Sequence, residues 1–168
     1  MNNIQAIIDK SDYEIYGDYL NFLIDDYFLD EKLDEIYPEQ EYKGLVPTLN
    51  WWMEIPQESK VVWDRILPET NNRSICPILM CPDDADFSCT LIVADILRLE
   101  NAVVWERLGI DMITEYEAEK IGSKVDWFDK IKPLSFDIHN YEQMISDFKE
   151  CFEKDKKKYL KENNLNDW

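Results

Sequence analysis

The N-terminal third of the chain alternates apolar and acidic stretches in a way that predicts a hairpin followed by a helix. Residues 19–29 are apolar and aromatic except at Asp25 and Asp26 and one asparagine, which predicts two strands joined by a turn at the acidic pair. Asp30 can then cap a helix that ends near Ile36, ahead of a proline.

Two segments of nearly identical sequence predict two strands of one sheet. Val61–Ile66 reads VVWDRI, and Val103–Leu108 reads VVWERL. Both contain the β-branched and aromatic residues that favour strands. Because their flanks differ, two similar strands are favoured over a duplicated unit. If the strands are adjacent and antiparallel, Trp63 and Trp105 would pair across the sheet.

Short helices are predicted at two further places. The stretch GLVPTLNWWMEIP is punctuated by glycine and proline, and it predicts a short helix that begins at Pro47. The stretch TEYEAEK begins with a Thr-x-x-Glu capping box at Thr114, and it predicts a helix that ends near Gly122.

An amphipathic helix near the C-terminus is the clearest element of the pattern. Asn140 and Gln143 have the spacing of a capping pair, and a cluster of lysines near the other end suits the helix dipole. Between them, apolar residues recur at the i, i+1, i+4, i+7 and i+8 positions of one helix face. These apolar residues are Met144, Ile145, Phe148, Cys151 and Phe152.

The stretch CPILMCPDDADFSC joins two apolar runs through an acidic turn. Ile75–Cys81 and Phe87–Ile96 are almost continuously apolar, which is typical of central strands that are covered on both faces. Residues 83–86 then form the loop of a hairpin, and the cysteines of the strands are expected to pack in the core as small hydrophobic side chains.

The chain carries no strong signature of metal binding or catalysis. Cys76, Cys81 and Cys89 are five and eight positions apart, whereas zinc-finger sites pair cysteines roughly two to four residues apart. The acidic turn lacks the glycine and glutamate of an EF-hand loop, which leaves open only a surface ion site. His139 is the single histidine, and four glycines are too few for a phosphate-binding loop. We therefore predict no catalytic residue, no metal centre and no cofactor.

Together these elements predict a single α+β domain over residues 1–168. The expected fold is a mostly antiparallel sheet of about five to seven strands, with a long C-terminal amphipathic helix and short helices packed on it. The chain is 45% hydrophobic and 13% aromatic, which is enough to bury a core without support from disulfides or metal ions.

The net charge of the chain favours some classes of binding partner over others. Asp and Glu number 36 against 18 Lys and Arg, a formal net charge of −18. This balance disfavours nucleic acid and anionic membranes and favours a basic protein partner, although acidic surface can also serve solubility alone. The N-terminus does not resemble a signal peptide, and no apolar run is long enough to span a membrane, which predicts a cytoplasmic protein with reduced cysteines. The oligomeric state stays open.

Three groups of acidic or aromatic residues are candidates for binding a protein partner, because such side chains often anchor interfaces. Each group also has a structural alternative: a solvated turn, a pair of core tryptophans, or an exposed acidic surface. The groups are the turn residues Asp83, Asp84 and Asp86, the pair Trp51 and Trp52, and the acidic residues Asp25, Asp26, Glu31 and Glu35.

At GLVPTLNWW, VVWDRILPE, ILMCPDDADFSCTLIVADI and VVWERLGID, between Asp18 and Phe148, the chain resembles a group of small, acidic, single-domain bacterial proteins of uncharacterised function. In size, charge and expected location it is also similar to the immunity proteins of bacterial polymorphic-toxin systems. That resemblance implies a non-catalytic protein that binds and blocks a toxin domain. Two alternatives stay open: an adaptor with another partner, and a small hydrolase or metal-dependent enzyme that uses scattered carboxylates.

Overall fold

The computed structural model describes residues 1–10, 17–51, 55–115 and 117–167. The helices of these residues are α1 (Leu29–Ile36), α2 (Pro56–Arg65), α3 (Ile138–Glu162) and a short 3-10 helix (Ala118–Lys120). The strands are β1 (Ile4–Lys10), β2 (Asp18–Ile24), β3 (Tyr27–Phe28), β4 (Val46–Pro47), β5 (Arg73–Met80), β6 (Leu91–Arg98), β7 (Ala102–Asp111), β8 (Val125–Trp127) and β9 (Leu134–Asp137).

The strands of the described residues form two antiparallel sheets. The larger sheet has six strands, in the order β4–β5–β6–β7–β8, and β9 also pairs with β7. The smaller sheet has three strands, in the order β1–β2–β3. A bridge between Asn2 and Phe136 joins the start of the chain to β9. The predicted α+β class, with its antiparallel sheet and its long C-terminal helix, is confirmed.

The hairpin of β5 and β6 lies in the middle of the larger sheet, as the two apolar runs predicted. Its loop is longer than predicted, because β6 begins at Leu91 and not at Phe87, and residues 81–90 connect the two strands. Cys76 to Met80 are buried in β5, and Leu91 to Ile96 are buried in β6, which explains the nearly unbroken apolar sequence. Pro77 lies where the register of the two strands shifts, and a strand tolerates the missing N–H of a proline at such an irregularity.

The prediction of a strand at Val61–Ile66 is wrong, because this segment forms the C-terminal half of α2. A proline at the start of α2 provides a backbone angle that suits a first helical turn. Val61, Val62 and Ile66 are buried in the core, and α2 packs against β5. The similar segment Val103–Leu108 does lie in a strand, β7, as predicted.

Trp63 and Trp105 therefore do not pair across a sheet. Trp63 is on α2 and packs edge-on against Phe152 of α3, with ring centroids 5.4 Å apart. Trp105 is on β7, and its side chain is buried beneath the other half of α3. Local sequence is nearly the same in the two segments, so long-range contacts decide between helix and strand.

The short helix predicted from Pro47 is also wrong, because Pro47 belongs to β4 at the edge of the larger sheet. Thr48, the next residue, also binds β5: its Oγ1 donates to the carbonyl oxygen of Pro77 at 2.8 Å. A proline is tolerated on an edge strand, where one side needs no donor. The helix predicted from Thr114 is reduced to the 3-10 helix Ala118–Lys120.

Helix α1 follows the β2–β3 hairpin as predicted, but Asp30 is not its cap. The helix begins at Leu29, after Phe28. The carboxylate of Asp30 is instead buried, where it accepts hydrogen bonds from Asn21 Nδ2 at 3.1 Å and from the N–H of Gly44 at 2.9 Å. Burial raises the pKa of Asp30, although these hydrogen bonds oppose the shift.

Helix α3 begins slightly earlier than its sequence pattern predicts. Asp137, and not Asn140, is its cap: the carboxylate accepts hydrogen bonds from the N–H groups of His139 and Asn140, at 2.9 and 3.2 Å. The buried residues of α3 include Met144, Phe148 and Phe152, which confirms the predicted apolar face.

A chain of hydrogen bonds at the centre of the core joins three elements. The indole N–H of Trp105 on β7 donates to the hydroxyl of Tyr141 on α3, at 3.0 Å. That hydroxyl donates to the carbonyl oxygen of Ile66, the residue that follows the last residue of α2, at 2.9 Å. The rings of Phe22 and Phe136 lie edge-on to the Trp105 ring, at 5.7 and 5.2 Å. All three polar groups are thus paired in an apolar environment.

We expect Tyr141→Phe to lower the free energy of unfolding by about 1–3 kcal/mol, because the buried N–H of Trp105 and the carbonyl of Ile66 would lose their partner. Urea denaturation followed by circular dichroism measures this change. The matched hydroxyl deletion is Tyr27→Phe, at a half-buried site on β3, which should cost less than about 0.5 kcal/mol. Equal losses in the two variants would contradict the role of the Tyr141 hydroxyl.

Candidate functional site

The acidic turn residues lie on the loop between β5 and β6, but they differ in their surroundings. Asp83 and Asp84 are exposed, and Asp86 is half-buried. The carboxylate of Asp86 accepts a hydrogen bond from the N–H of Ser88, at 2.8 Å, so it shapes the loop. Asp83 and Asp84 are the members of this group that a partner could reach.

Trp51 is a core residue. Its side chain is buried and packs against two rings of α3, those of Phe152 at 5.3 Å and Tyr159 at 5.8 Å. Trp52 lies outside the described residues. Trp51 thus fits the alternative of a core tryptophan, because a side chain packed in this way contributes to stability and presents little surface to a partner.

The remaining acidic candidates lie on the β2–β3 turn and on α1. Asp25 fixes the turn to the N-terminus: its carboxylate accepts hydrogen bonds from Asn2 Nδ2 and from the N–H of Asn3, both at 2.8 Å. These hydrogen bonds lower the pKa of Asp25, with the Asn2 amide having the largest effect. The other three residues are exposed, namely Asp26, Glu31 and Glu35.

A groove between β1 and α3 is a further candidate site, and its lining residues form one continuous surface, unlike the scattered candidates above. We call it the β1–α3 groove. Strand β1 lies at the edge of the smaller sheet, and α3 lies beside it. The groove has a volume of about 660 Å³. A second hollow of about 290 Å³ extends it towards the start of α3, and the two share Ala6, Ile7 and Asp147.

The apolar floor of the groove arises from the way β1 passes out of the core. Ile4 and Ala6 are paired with Ile24 and Phe22 of β2, and Ile4 is fully covered by the core. Ile8 lies on the same face of the strand, because side chains alternate along it. Ile8 lies past the part of β1 that the core covers, and its side chain is 67% exposed.

The acidic rim comes mainly from one stripe of α3. Asp147, Cys151 and Asp155 follow each other at intervals of four residues, so they lie along one side of the helix. Glu150 is next to this stripe, and Asp18 faces it from the start of β2. Lys154 is the single basic side chain among the lining residues. The groove therefore combines an apolar floor with a negative rim.

Sequence reasoning missed the β1–α3 groove, although two signals for it are present. The alternation of Ile4, Ala6 and Ile8 is a strand pattern, but no strand was predicted before residue 19. The stripe of Asp147 and Asp155 flanks the apolar face of the predicted helix. Only the packing of β1 beside α3 brings these two signals together.

A smaller cleft of about 250 Å³ lies beside the β5–β6 loop and contains an unusual carboxyl group, Glu58 of α2. Its Oε2 accepts a hydrogen bond from the N–H of Phe87 at 3.2 Å, which ties α2 to the loop. Burial raises the pKa of Glu58 to about 7. Asp111 also lines the cleft, and it accepts a hydrogen bond from the N–H of Gly122 at 2.9 Å. These contacts tie loops together, and Glu58 can exchange a proton near neutral pH.

The β5–β6 loop also brings together potential metal ligands that the sequence spacing did not indicate. One ligand atom each from Cys81, Asp84 and Cys89 lies within 4.8 Å of the others. Cys89 is exposed and Cys81 is half-buried, so the expectation that the cysteines pack in the core is wrong for Cys89. It holds for Cys76, which is fully covered and whose thiol pKa is raised by burial.

Comparison of the chain with protein-family models, with curated proteins and with solved structures gave no significant match. Among the described residues, the helices are all too short or too polar to cross a lipid bilayer.

The raised pKa of Glu58 makes stability depend on pH. The ordinary pKa of 4.5 rises to about 7 in the folded chain. The contribution of the Glu58 carboxyl to the free energy of unfolding is therefore fully present below about pH 4.5 and is lost as the pH rises through about 7. Thermal unfolding across this range should show that Glu58→Gln removes the loss. Above pH 7, we expect the variant to be more stable by about 1 kcal/mol after allowance for solvent screening.

Glu69→Gln is the control for this experiment, since Glu69 is exposed. The quantity to compare is the difference between each variant and the parent at every pH, because the net charge of the chain affects all three proteins. A Glu58→Gln profile parallel to that of the parent would contradict the prediction.

Proposed function

We propose that this protein is a non-catalytic protein-binding domain that receives an extended, basic segment of its partner in the β1–α3 groove. The observation that carries the proposal is the combination, in one groove, of a strand at a sheet edge, exposed isoleucines and an acidic rim. An edge strand can accept another strand through its backbone, and side-chain pockets beside it then provide specificity.

The backbone of β1 supplies the first part of the recognition. Within the described residues, Ile4 to Lys10 pair with β2 and with no other strand. An added strand would form its hydrogen bonds with the groups on the opposite side of β1. Ile7 and Ile8 are 37% and 67% exposed, and burying them against apolar side chains of the partner would add hydrophobic stabilisation.

The charges supply the second part. Asp18, Asp147, Glu150 and Asp155 surround the groove, with Lys154 as the one opposing charge among its lining residues. A partner segment in which Lys or Arg alternates with apolar residues would place its basic side chains against this rim. The net charge of −18 would attract such a partner over a longer range and accelerate association at low salt.

Within this class, we propose that the protein is an immunity protein whose partner is a basic toxin domain. Its small size, its acidic charge and the resemblance described above support this role. An inhibitor that blocks a toxin by binding it needs no catalytic group of its own, and the groove offers an apolar surface with an acidic rim for such binding. An adaptor that binds another basic protein would use the same groove, so the identity of the partner separates the two.

A synthetic peptide in which lysine alternates with valine tests the groove directly. We expect it to bind in isothermal titration calorimetry and to bind more weakly as salt rises. The triple variant Asp147→Asn, Glu150→Gln, Asp155→Asn should reduce affinity by about tenfold or more, because three attractive charges are lost. A peptide with proline in place of its central valine should also bind more weakly, since it cannot complete the added strand.

The matched control removes three exposed charges elsewhere, through Glu39→Gln, Glu41→Gln and Glu69→Gln. This variant has the same net charge as the groove variant and should retain most of the affinity. If both triple variants lose affinity equally, binding follows overall charge and the groove is not the site.

Co-expression with the protein encoded by the neighbouring gene tests the immunity role. We expect that protein to be basic and to arrest growth when produced alone, and we expect co-expression of this chain to restore growth. The groove variant should protect less well than the control variant, with equal amounts of soluble protein. A neighbouring protein that is harmless, or protection that is unaffected by the groove variant, would contradict the proposed role.

A further inference from the structure

The β5–β6 loop turns back on itself, so that cysteines eight positions apart meet. Cys81 follows the last residue of β5, and Cys89 comes shortly before β6. The loop between them places Asp84 next to both sulfur atoms, with all three ligand atoms within 4.8 Å of one another. Atoms this close can bind one ion together.

A tight turn follows Cys81. Burial raises the pKa of the Cys81 thiol, and the backbone N–H groups of Asp83 and Asp84 oppose this shift. The N–H of Ala85 donates to the Cys81 carbonyl oxygen at 3.2 Å, and Ala85 has a left-handed backbone with φ of 49°. This turn brings the Asp84 carboxylate back to the Cys81 sulfur, where the two can share one ion.

We propose that this loop is a binding site for a thiophilic divalent cation such as Zn²⁺, with Cys81 Sγ, Cys89 Sγ and a carboxylate oxygen of Asp84 as its ligands. Thiolates favour zinc over calcium and magnesium, which prefer oxygen ligands. Three protein ligands leave the fourth tetrahedral position for water or for a ligand from outside the chain. This inference does not depend on the β1–α3 groove.

The surroundings of the loop allow an ion to enter and be held. Asp84 and Cys89 are exposed, so the ligands are accessible from solvent. The loop is anchored on its other side by the hydrogen bond from the N–H of Phe87 to Glu58 on α2. Three anionic ligands give a complex with Zn²⁺ a net charge of −1, and thiol protons are released on binding. Because Cys81 follows β5 and Cys89 comes shortly before β6, a bound ion would link the two ends of the loop.

Cobalt titration of the full chain tests the site, because Co²⁺ replaces Zn²⁺ and reports on its ligands. The chain is first stripped of metal with a chelator and kept reduced with a phosphine. We expect one equivalent of Co²⁺ to produce the near-ultraviolet absorption of cobalt–thiolate bonds, and we expect Zn²⁺ to abolish that absorption by displacing it. Affinity should increase with pH, since binding displaces protons from the thiols.

Variants identify the ligands. Cys81→Ser and Cys89→Ser should each abolish tight binding, and Asp84→Asn should weaken it by about tenfold or more. The controls are Cys151→Ser, which removes a thiol on α3, and Asp83→Asn, which removes the neighbouring charge; both should bind Co²⁺ as the parent does. Circular dichroism confirms that each variant remains folded.

Several results would overturn the proposal. One is the absence of cobalt–thiolate absorption in the reduced chain. Another is absorption that persists in both Cys81→Ser and Cys89→Ser. A third is formation of a Cys81–Cys89 disulfide under mild oxidant by a reduced chain that takes up neither Co²⁺ nor Zn²⁺, which would make the pair a redox pair and not a metal site.

Discussion

The hydrogen-bond chain from Trp105 through Tyr141 to Ile66 is the interaction on which the arrangement of the core depends. It connects the long strand β7, the C-terminal helix α3 and the end of α2. Buried polar groups are costly unless they are paired, and this pairing is possible only when all three elements are in place. The aromatic rings around Trp105 then fill the space between the two sheets. The position of α3 is thereby determined by contacts that lie far apart in the sequence.

The position of α3 has a direct consequence for the surface. Its apolar face covers the core, and its neighbouring acidic stripe runs beside β1, an edge strand. The groove between them is thus a product of the same packing that stabilises the fold. This relation explains why exposed Ile7 and Ile8 are found next to so many carboxylates. An acidic surface alone would serve solubility, whereas acidic side chains around an apolar groove next to a strand edge support the binding role that we propose.

The β5–β6 loop is a second region where local chemistry and packing meet. On one side, Glu58 of α2 accepts a hydrogen bond from the loop backbone. On the other side, Cys81, Asp84 and Cys89 approach each other closely. The loop and the β1–α3 groove are formed by different elements. The proposed metal site and the proposed binding groove can therefore be tested separately, each with variants that leave the other region unchanged.

The sequence by itself determined the fold class, the β2–β3 and β5–β6 hairpins and the apolar face of α3, because each depends on periodicity and turn residues within a short segment. It could not distinguish Val61–Ile66 from Val103–Leu108, since nearly identical residues form a helix against β5 in one case and a strand in the other. The groove and the cluster of Cys81 and Cys89 were likewise decided by the tertiary structure. Both are made by residues that come into contact only when separate segments pack or a loop closes. A local sequence pattern carries no information about such contacts.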